Sequence, residues 1–274
     1  MTPSNQLTVA SIQMVSSPSV EGNLASSERL IQQAKIGGAE LVVLPEYFCL
    51  MGRRDTDKVA IKEEFNNGPI QKRLSAIAKA NAVYLVAGTI PLLGSTEDKV
   101  KNTTLVFSPT GDIICRYYKI HLFGFKQGQE EYQEANTIEA GQTPSSFAIT
   151  IGDNSWRFGL SICYDLRFPE LYRSMGAVDC HIIPAAFTYT TGQAHWEILL
   201  RARAIENQCY VLASAQGGKH ENGRSTWGQS MLIDPWGQIK SQVKEGEGIS
   251  MGVIDKHITQ EIRTKLPALQ HRML

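Results

Sequence analysis

Residues 156–171 read WRFGLSICYDLRFPEL, and the interpretation of this stretch decides the fold. Trp156 to Ile162 is an apolar run suited to a buried strand. It stops at Cys163, a polar turn follows, and Pro169 suits the first turn of a helix, where its missing N–H does no harm. A sharp strand-to-helix turn lifts a nucleophile off a sheet edge and aims the next backbone N–H, here that of Tyr164, at the place where an oxyanion forms. A free cysteine is also among the residue types most often buried, so an inert core thiol fits the same pattern. The residues that accompany Cys163 must decide between the two.

Working outward, the chain alternates short apolar runs with amphipathic stretches. Leu7 to Met14 reads as a first strand, and Asn23 to Ile36 as a helix stopped by Gly37-Gly38. Leu41-Val42-Val43-Leu44 is a continuous apolar run, the mark of a strand covered on both faces. Pro69 to Ala80 is a second helix and Val83 to Ile90 another buried strand. Asn102 to Phe107 and Ile113 to Tyr118 form a hairpin around Pro109-Thr110-Gly111-Asp112. Residues 122 to about 143 have weak periodicity and read as a long loop, which in a compact domain is more often functional than idle. Ser145 to Thr150 pairs with Trp156 to Ile162. A helix (Pro169 to Met175), a strand (Cys180 to Ile183), a helix (Ala194 to Asn207) and a strand (Tyr210 to Ala215) follow. The tail holds a hairpin through Asp234-Pro235-Trp236-Gly237, a strand at Ile249 to Ile254 and a short last helix. Hairpins mixed with helix-linked strands, and no linker or repeat, predict one layered α/β domain over 1–274.

Three reactive side chains stand at equivalent places in this pattern. Glu46 follows LVVLP, Lys119 follows the strand ending Tyr117-Tyr118, and Cys163 follows FGLSI. Each is the first reactive group past the carboxyl end of a strand, where sites form in open α/β sheets. Taken singly, a Glu or Lys in such a place is usually a solvated surface charge. Together they make a working set. A thiol is only a few per cent ionised at neutral pH, so a nearby base must take its proton. Glu46 does this if burial raises its pKa. Lys119 offsets the carboxylate and donates, with the Tyr164 N–H, to the oxyanion.

Composition bounds the alternatives. The 274 residues are 42% apolar and 20% charged, ordinary for a folded protein. Lys plus Arg and Asp plus Glu balance at 27 each, which argues against a broad nucleic-acid or anionic-membrane surface. No apolar run approaches the ~20 residues of a membrane span. The polar start MTPSNQ lacks the pattern of a secretory signal. Five scattered cysteines are an odd number and fit a reducing, cytoplasmic compartment. There is no P-loop, no G-x-G-x-x-G, no C-x-x-C and no H-E-x-x-H, so neither a nucleotide cofactor nor a metal is expected. His195-Trp196-Glu197 reads as the start of a helix.

With these residues in view, the chain resembles the nitrilase superfamily of carbon–nitrogen hydrolases over roughly residues 6 to 268. The resemblance is carried by LVVLPEYF around Glu46, YYKIHLFGF around Lys119, SICYDLRFPELYR around Cys163, residues 185–216 and STWGQSMLIDPWG. It implies an α/β/β/α sandwich whose protomers pair through helices into a homodimer or higher homo-oligomer, extending the layers. It also implies a Glu–Lys–Cys triad working through a thioester, with no cofactor. A second glutamate is implied in the loop after the lysine: Glu134 is the candidate, to orient Lys119 and the substrate, with Glu130, Glu131 and Glu139 as rivals. Within the superfamily the RFPE after the elbow and the block around AHWEILLRARAIENQCYV look most like the deaminated glutathione amidases, with the ω-amidases next. Both act on a small amide of an oxo acid. Arg167 is placed to clamp the acid bidentately, or else to pair with Glu170, and Tyr164, Phe187 and Thr191 are placed to line the pocket. The loop HLFGFKQGQEEYQEA departs from both groups, which leaves the leaving-group preference open. Outside this reading stand a free-nitrile hydrolase with the same triad, a metal-dependent phosphoester hydrolase, which lacks its ligands here, and a non-catalytic subunit, against which all three triad residues are retained.

Overall fold

The computed structural model describes residues 5–128 and 130–273; the side chains of Gln127 and Glu130 lie outside that description, as does the start, 1–4, of the N-terminal segment considered above. In chain order the elements are β1 (Gln6–Gln13), α1 (Val20–Ile36), β2 (Leu41–Val43), α2 (Asp57–Ala60), α3 (Pro69–Asn81), β3 (Tyr84–Leu93), β4 (Val100–Phe107) and β5 (Ile113–Tyr118). Then come β6 (Gly124–Gln127), β7 (Glu130–Gln133), β8 (Ser145–Ile151), β9 (Asn154–Leu160), α4 (Pro169–Ser174), β10 (Cys180–Ala185) and α5 (Tyr189–Asn207). The chain finishes with β11 (Tyr210–Ala215), β12 (Gly217–Lys219), β13 (Ser225–Trp227), β14 (Ser230–Ile233), β15 (Ile239–Val243), β16 (Gly248–Asp255) and α6 (Lys256–Lys265).

Two six-stranded sheets carry the structure, in the orders β16-β1-β2-β3-β4-β5 and β15-β14-β11-β10-β9-β8. The centre of each is parallel and its edges antiparallel: β1-β2-β3 run together, as do β9-β10-β11. Alternation along the strands explains the layering. On β1, Leu7 and Val9 face the second sheet, while Ala10 and Ile12 face helices α1 and α3. Leu41 and Val43 of β2 repeat the first pattern and Val42 the second. Both faces are thus buried, which is why these runs are continuously apolar. The second sheet is covered outside by α5 through Trp196, Leu200 and Ala204, all fully buried. The result is the expected α/β/β/α order of layers.

The structure corrects the expectations in two places. The segment read as a long loop contains the hairpin β6–β7, with Gly124 opposite Gln133 and Phe125 opposite Tyr132, followed by a 3-10 turn over Glu134–Asn136. Its strands are too short and too polar to show a period. Helix α5 starts at Tyr189 rather than Ala194, because Thr188 caps it by accepting from the Thr191 N–H. His195 therefore lies well inside the helix, not at its start.

One close approach connects the fold to the site. Gly88 of β3 lies beneath the bend that follows β2, and a Cβ there would sit 2.0 Å from the Pro45 carbonyl oxygen and 2.2 Å from that of Leu44. Backbone cannot yield as a flexible side chain can. Gly88→Ala is therefore expected to lower the unfolding free energy by about 3 kcal/mol or more, read by urea denaturation; a variant as stable as the parent would contradict this packing.

Candidate active site

Each reactive side chain is delivered by the end of a strand. Glu46 follows β2, Lys119 follows β5 directly, and Cys163 follows β9 and opens a 3-10 turn over Cys163–Arg167. Cys163 has φ of 49° and Tyr47 has φ of 56°, a left-handed backbone that non-glycine residues rarely hold. Such positions persist only where the surroundings enforce them, and they gather at functional sites. Glu134 comes from the 3-10 turn after β7.

Lys119 is fully buried and its ammonium joins two carboxylates. Nζ donates to Glu46 Oε1 at 2.9 Å and to Glu134 Oε1 at 2.9 Å, with Glu134 Oε2 at 2.8 Å. Each carboxylate accepts two further hydrogen bonds. Glu46 accepts from Asn102 Nδ2 at 2.9 Å and from the Ala186 N–H at 3.0 Å. Glu134 accepts from the Tyr47 hydroxyl at 2.7 Å and the Phe123 N–H at 2.7 Å. Among the rivals, Glu131 pairs with Lys126 at an exposed edge, and Glu139 is tied to Lys101 at 2.6 Å. The hydrogen bond from Lys101, with that from the Ser95 N–H, holds Glu139 down to about 2. The Glu130 side chain lies outside the described residues.

One cation beside two buried carboxylates cannot neutralise both. Burial pushes both upward, but Glu134, held by Lys119 and by its hydrogen bonds, ends below its ordinary range. Glu46 ends above it, through burial first and then the Glu134 charge, against the pull of Lys119. Burial also works against the Lys119 ammonium, and the two carboxylates outweigh it, so the group stays charged. The Cys163 thiol is pushed well above its usual value by burial and by Glu46. The resting arrangement is therefore a thiol beside a carboxylate with a raised pKa, and environments that push neighbouring groups apart in this way mark acid–base sites.

Above these groups lies a cleft with about 610 Å³ of empty space, open solvent included, reached by Glu46, Glu134, Cys163, Tyr132, Lys58 and Arg224. A smaller recess of about 210 Å³ shares Cys163, Phe123, Ala186 and Thr188 with it and is lined besides by Tyr164, Arg167, Phe187 and Thr191. Arg167 makes no ion pair with Glu170; its guanidinium donates to His195 Nδ1 at 3.3 Å and lies 5.8 Å from the Tyr164 ring and 5.5 Å from that of Phe187. Thr191 shares a hydrogen bond of 2.9 Å with the Thr188 hydroxyl, and Phe187 packs on Trp196. Among the described residues, no three His, Cys, Asp or Glu side chains converge as a metal-binding group.

The carbon–nitrogen hydrolase profile matches residues 8–264. The chain belongs to the carbon–nitrogen hydrolase family. A Synechocystis protein named deaminated glutathione amidase is 40% identical over 268 residues, which cover 96% of this chain and 97% of that one. The human protein of the same name is 34% identical over 96% of this chain and 81% of its own. Among solved structures, Saccharomyces cerevisiae Nit3, a member of branch 10 of the nitrilase superfamily, superposes with a TM-score of 0.86 at 29% identity, covering 98% of this chain and 97% of that chain.

Several residues of this hydrolase's site escape a reading by motif. Asn102 and Tyr47 complete the shells of Glu46 and Glu134; the one available signal for the first is a polar Asn-Thr-Thr run ahead of the apolar Leu-Val-Phe end of β4. Asp165, fully buried two residues after Cys163, ties the elbow to the lysine segment. It accepts from the Ile162 N–H at 2.9 Å, the Tyr117 hydroxyl at 2.7 Å and the His121 N–H at 2.9 Å, and it lies 2.7 Å from His121 Nδ1. His121 in turn stacks on Phe168 at 3.7 Å. Asp165→Ala would strand these donors in the interior and should cost about 3–5 kcal/mol of unfolding free energy, measured by denaturant titration. A loss below about 1 kcal/mol would show that Asp165 does not join the two segments.

Proposed function

We propose that this hydrolase cleaves the amide of deaminated glutathione, giving 2-oxoglutarate and cysteinylglycine, with Cys163 as nucleophile, Glu46 as general base and acid, Lys119 as oxyanion donor and Glu134 as the group that orients Lys119 and the substrate. Support comes from the meeting of these four side chains below one cleft, and from the shared name of the relatives above. Residues 1–274 would act as one domain.

The reaction follows from the protonation states. The Cys163 proton passes to Glu46 as sulfur bonds to the amide carbon, and the carbonyl oxygen becomes an oxyanion facing Lys119 and the Tyr164 N–H. The C–N bond breaks as Glu46 returns the proton to the departing nitrogen. Water then attacks the thioester while Glu46 takes one of its protons, and that proton goes to sulfur as the C–S bond breaks. Arg167, between the Tyr164 and Phe187 rings, would hold the oxo-acid carboxylate, with Thr191 shaping the recess. We also propose a homodimer, since α5 leaves Ile198 70% and Ile205 50% exposed on its outer face. A cytoplasmic setting is supported by the free state of all five cysteines.

Turnover of deaminated glutathione by the wild-type protein, set beside 2-oxoglutaramate and a simple nitrile, tests the substrate. The first should be preferred, and equal rates on all three would contradict an oxo-acid amidase. Cys163→Ala should lose at least ~10⁴-fold in kcat, and retained turnover would remove the thioester. The pH profile carries a sign. Glu46 must be ionised to accept the thiol proton, and its pKa is raised, so activity is present above that raised value and lost as pH falls through it. The acid limb of kcat/KM should therefore lie above the ordinary carboxylate value of about 4.3, and a limb at or below that value would contradict Glu46 as base.

A further inference from the structure

Lys58 is the cation that the reaction above leaves without work. It stands on α2, and its ammonium reaches into the larger cleft, donating to Thr137 Oγ1 at 3.1 Å and lying 5.9 Å from the centre of the Tyr47 ring. Among the described residues no carboxylate lies within ion-pair distance of it. Burial lowers its pKa, while the more distant Asp55 and Glu134 charges oppose that shift. A half-buried ammonium with no counter-ion in contact is an expensive feature for a fold to keep. Arg224, just before β13, lines the same cleft; it pairs with Asp55 at 2.8 Å and lies 5.3 Å from the Tyr132 ring centre. Arg224 thus has an ion-pair partner in Asp55, whereas Lys58 has none in contact and feels the Asp55 and Glu134 charges only at longer range.

The two arms of the site differ in chemistry. Among the described residues the recess with Arg167 holds no carboxylate that could serve the departing nitrogen, whereas the cleft with Lys58 contains both Glu46 and Glu134. The nitrogen must receive its proton from Glu46, so the amine leaves through the larger cleft and the acyl group occupies the recess. We infer that Lys58, with Arg224 beside it, forms a subsite for a carboxylate carried at the far end of the leaving amine. This rests on the amidase reading and deepens it. The site then has a cation at each end of a doubly anionic substrate, with the scissile amide between them over Cys163. An amide whose leaving group is ammonia has nothing to offer Lys58, so the subsite selects a peptide-like amine ending in a free carboxylate.

Binding to the Cys163→Ala protein tests the subsite apart from turnover. Calorimetric titration with deaminated glutathione and with its C-terminal carboxamide should show the free acid bound about tenfold or more tightly, the scale of one charge-assisted hydrogen bond. Adding Lys58→Met should bring that ratio close to one, and Arg224→Gln should reduce it less. Equal affinity for the two ligands, no binding of either, or an undiminished ratio after Lys58→Met would overturn the subsite. If Lys58 served only to support Glu134, its removal would weaken both ligands alike and leave the ratio intact. The amidase reading fails by a different result, the absence of wild-type turnover on deaminated glutathione. The carboxamide comparison needs no variant at Lys58, so it stands even if Lys58→Met folds poorly.

Discussion

A single ammonium buried between two carboxylates is the constraint on which the rest of the structure depends. Lys119 has no exposure to solvent, and taking its charge out of water costs several kcal/mol before any partner is counted. Glu46 and Glu134 return that cost only because each is fixed by two further donors: Asn102 and Ala186 for the first, Tyr47 and Phe123 for the second. The three groups carry a net negative charge, and this asymmetry separates the two carboxylates. One is kept ionised by the shared cation, and the other is left ready to take a proton from the neighbouring thiol. A second cation in contact with Glu46 would remove the base, and loss of Lys119 would leave two charges with no reason to be buried.

The fold can hold such an arrangement because its rigid parts end where the chemistry begins. β2 and β5 belong to one sheet and β9 to the other, so Glu46 and Lys119 approach Cys163 across the sheet interface. Asp165 fastens the two sides, with its oxygens on the elbow, on Tyr117 of β5 and on His121 just beyond Lys119. Arg203 of α5 adds a second fastening by donating to the Leu166 carbonyl at 3.0 and 2.8 Å. The left-handed backbone at Cys163 is therefore held from below by buried hydrogen bonds rather than by the elbow alone.

Much of this was legible in the sequence, for physical reasons. Strands buried on both faces must be apolar throughout, so β2, β3 and β10 stood out, and β5 and β11 were found with the bounds they have in the structure. Glu46, Lys119 and Cys163 could be picked out because each interrupts the chain at the end of such a run. Glu134 could be named only through the family resemblance, since a short polar hairpin precedes it and four glutamates crowd within ten residues. Asn102, Tyr47 and Asp165 were not found, because a side chain that hydrogen-bonds a distant residue leaves no periodic trace. The start of α5 was misplaced for a similar reason: its first turn, Tyr-Thr-Thr-Gly, is made of poor helix formers fixed by a cap. Lys58 and Arg224 look like any surface charges until the fold brings α2 and the turn before β13 to one cleft.

The electrostatic claim at the centre of this account is open to a direct measurement. Infrared titration of the wild-type protein, compared with Glu46→Gln and Glu134→Gln, follows the carbonyl stretch of protonated carboxyl groups as pH is varied. One buried carboxyl should titrate above the ordinary range, vanish in Glu46→Gln, and move to lower pH in Glu134→Gln, where Lys119 has a single partner left. Two carboxyls titrating together in the ordinary range, or a band that Glu134→Gln leaves unmoved, would contradict the division of labour described here.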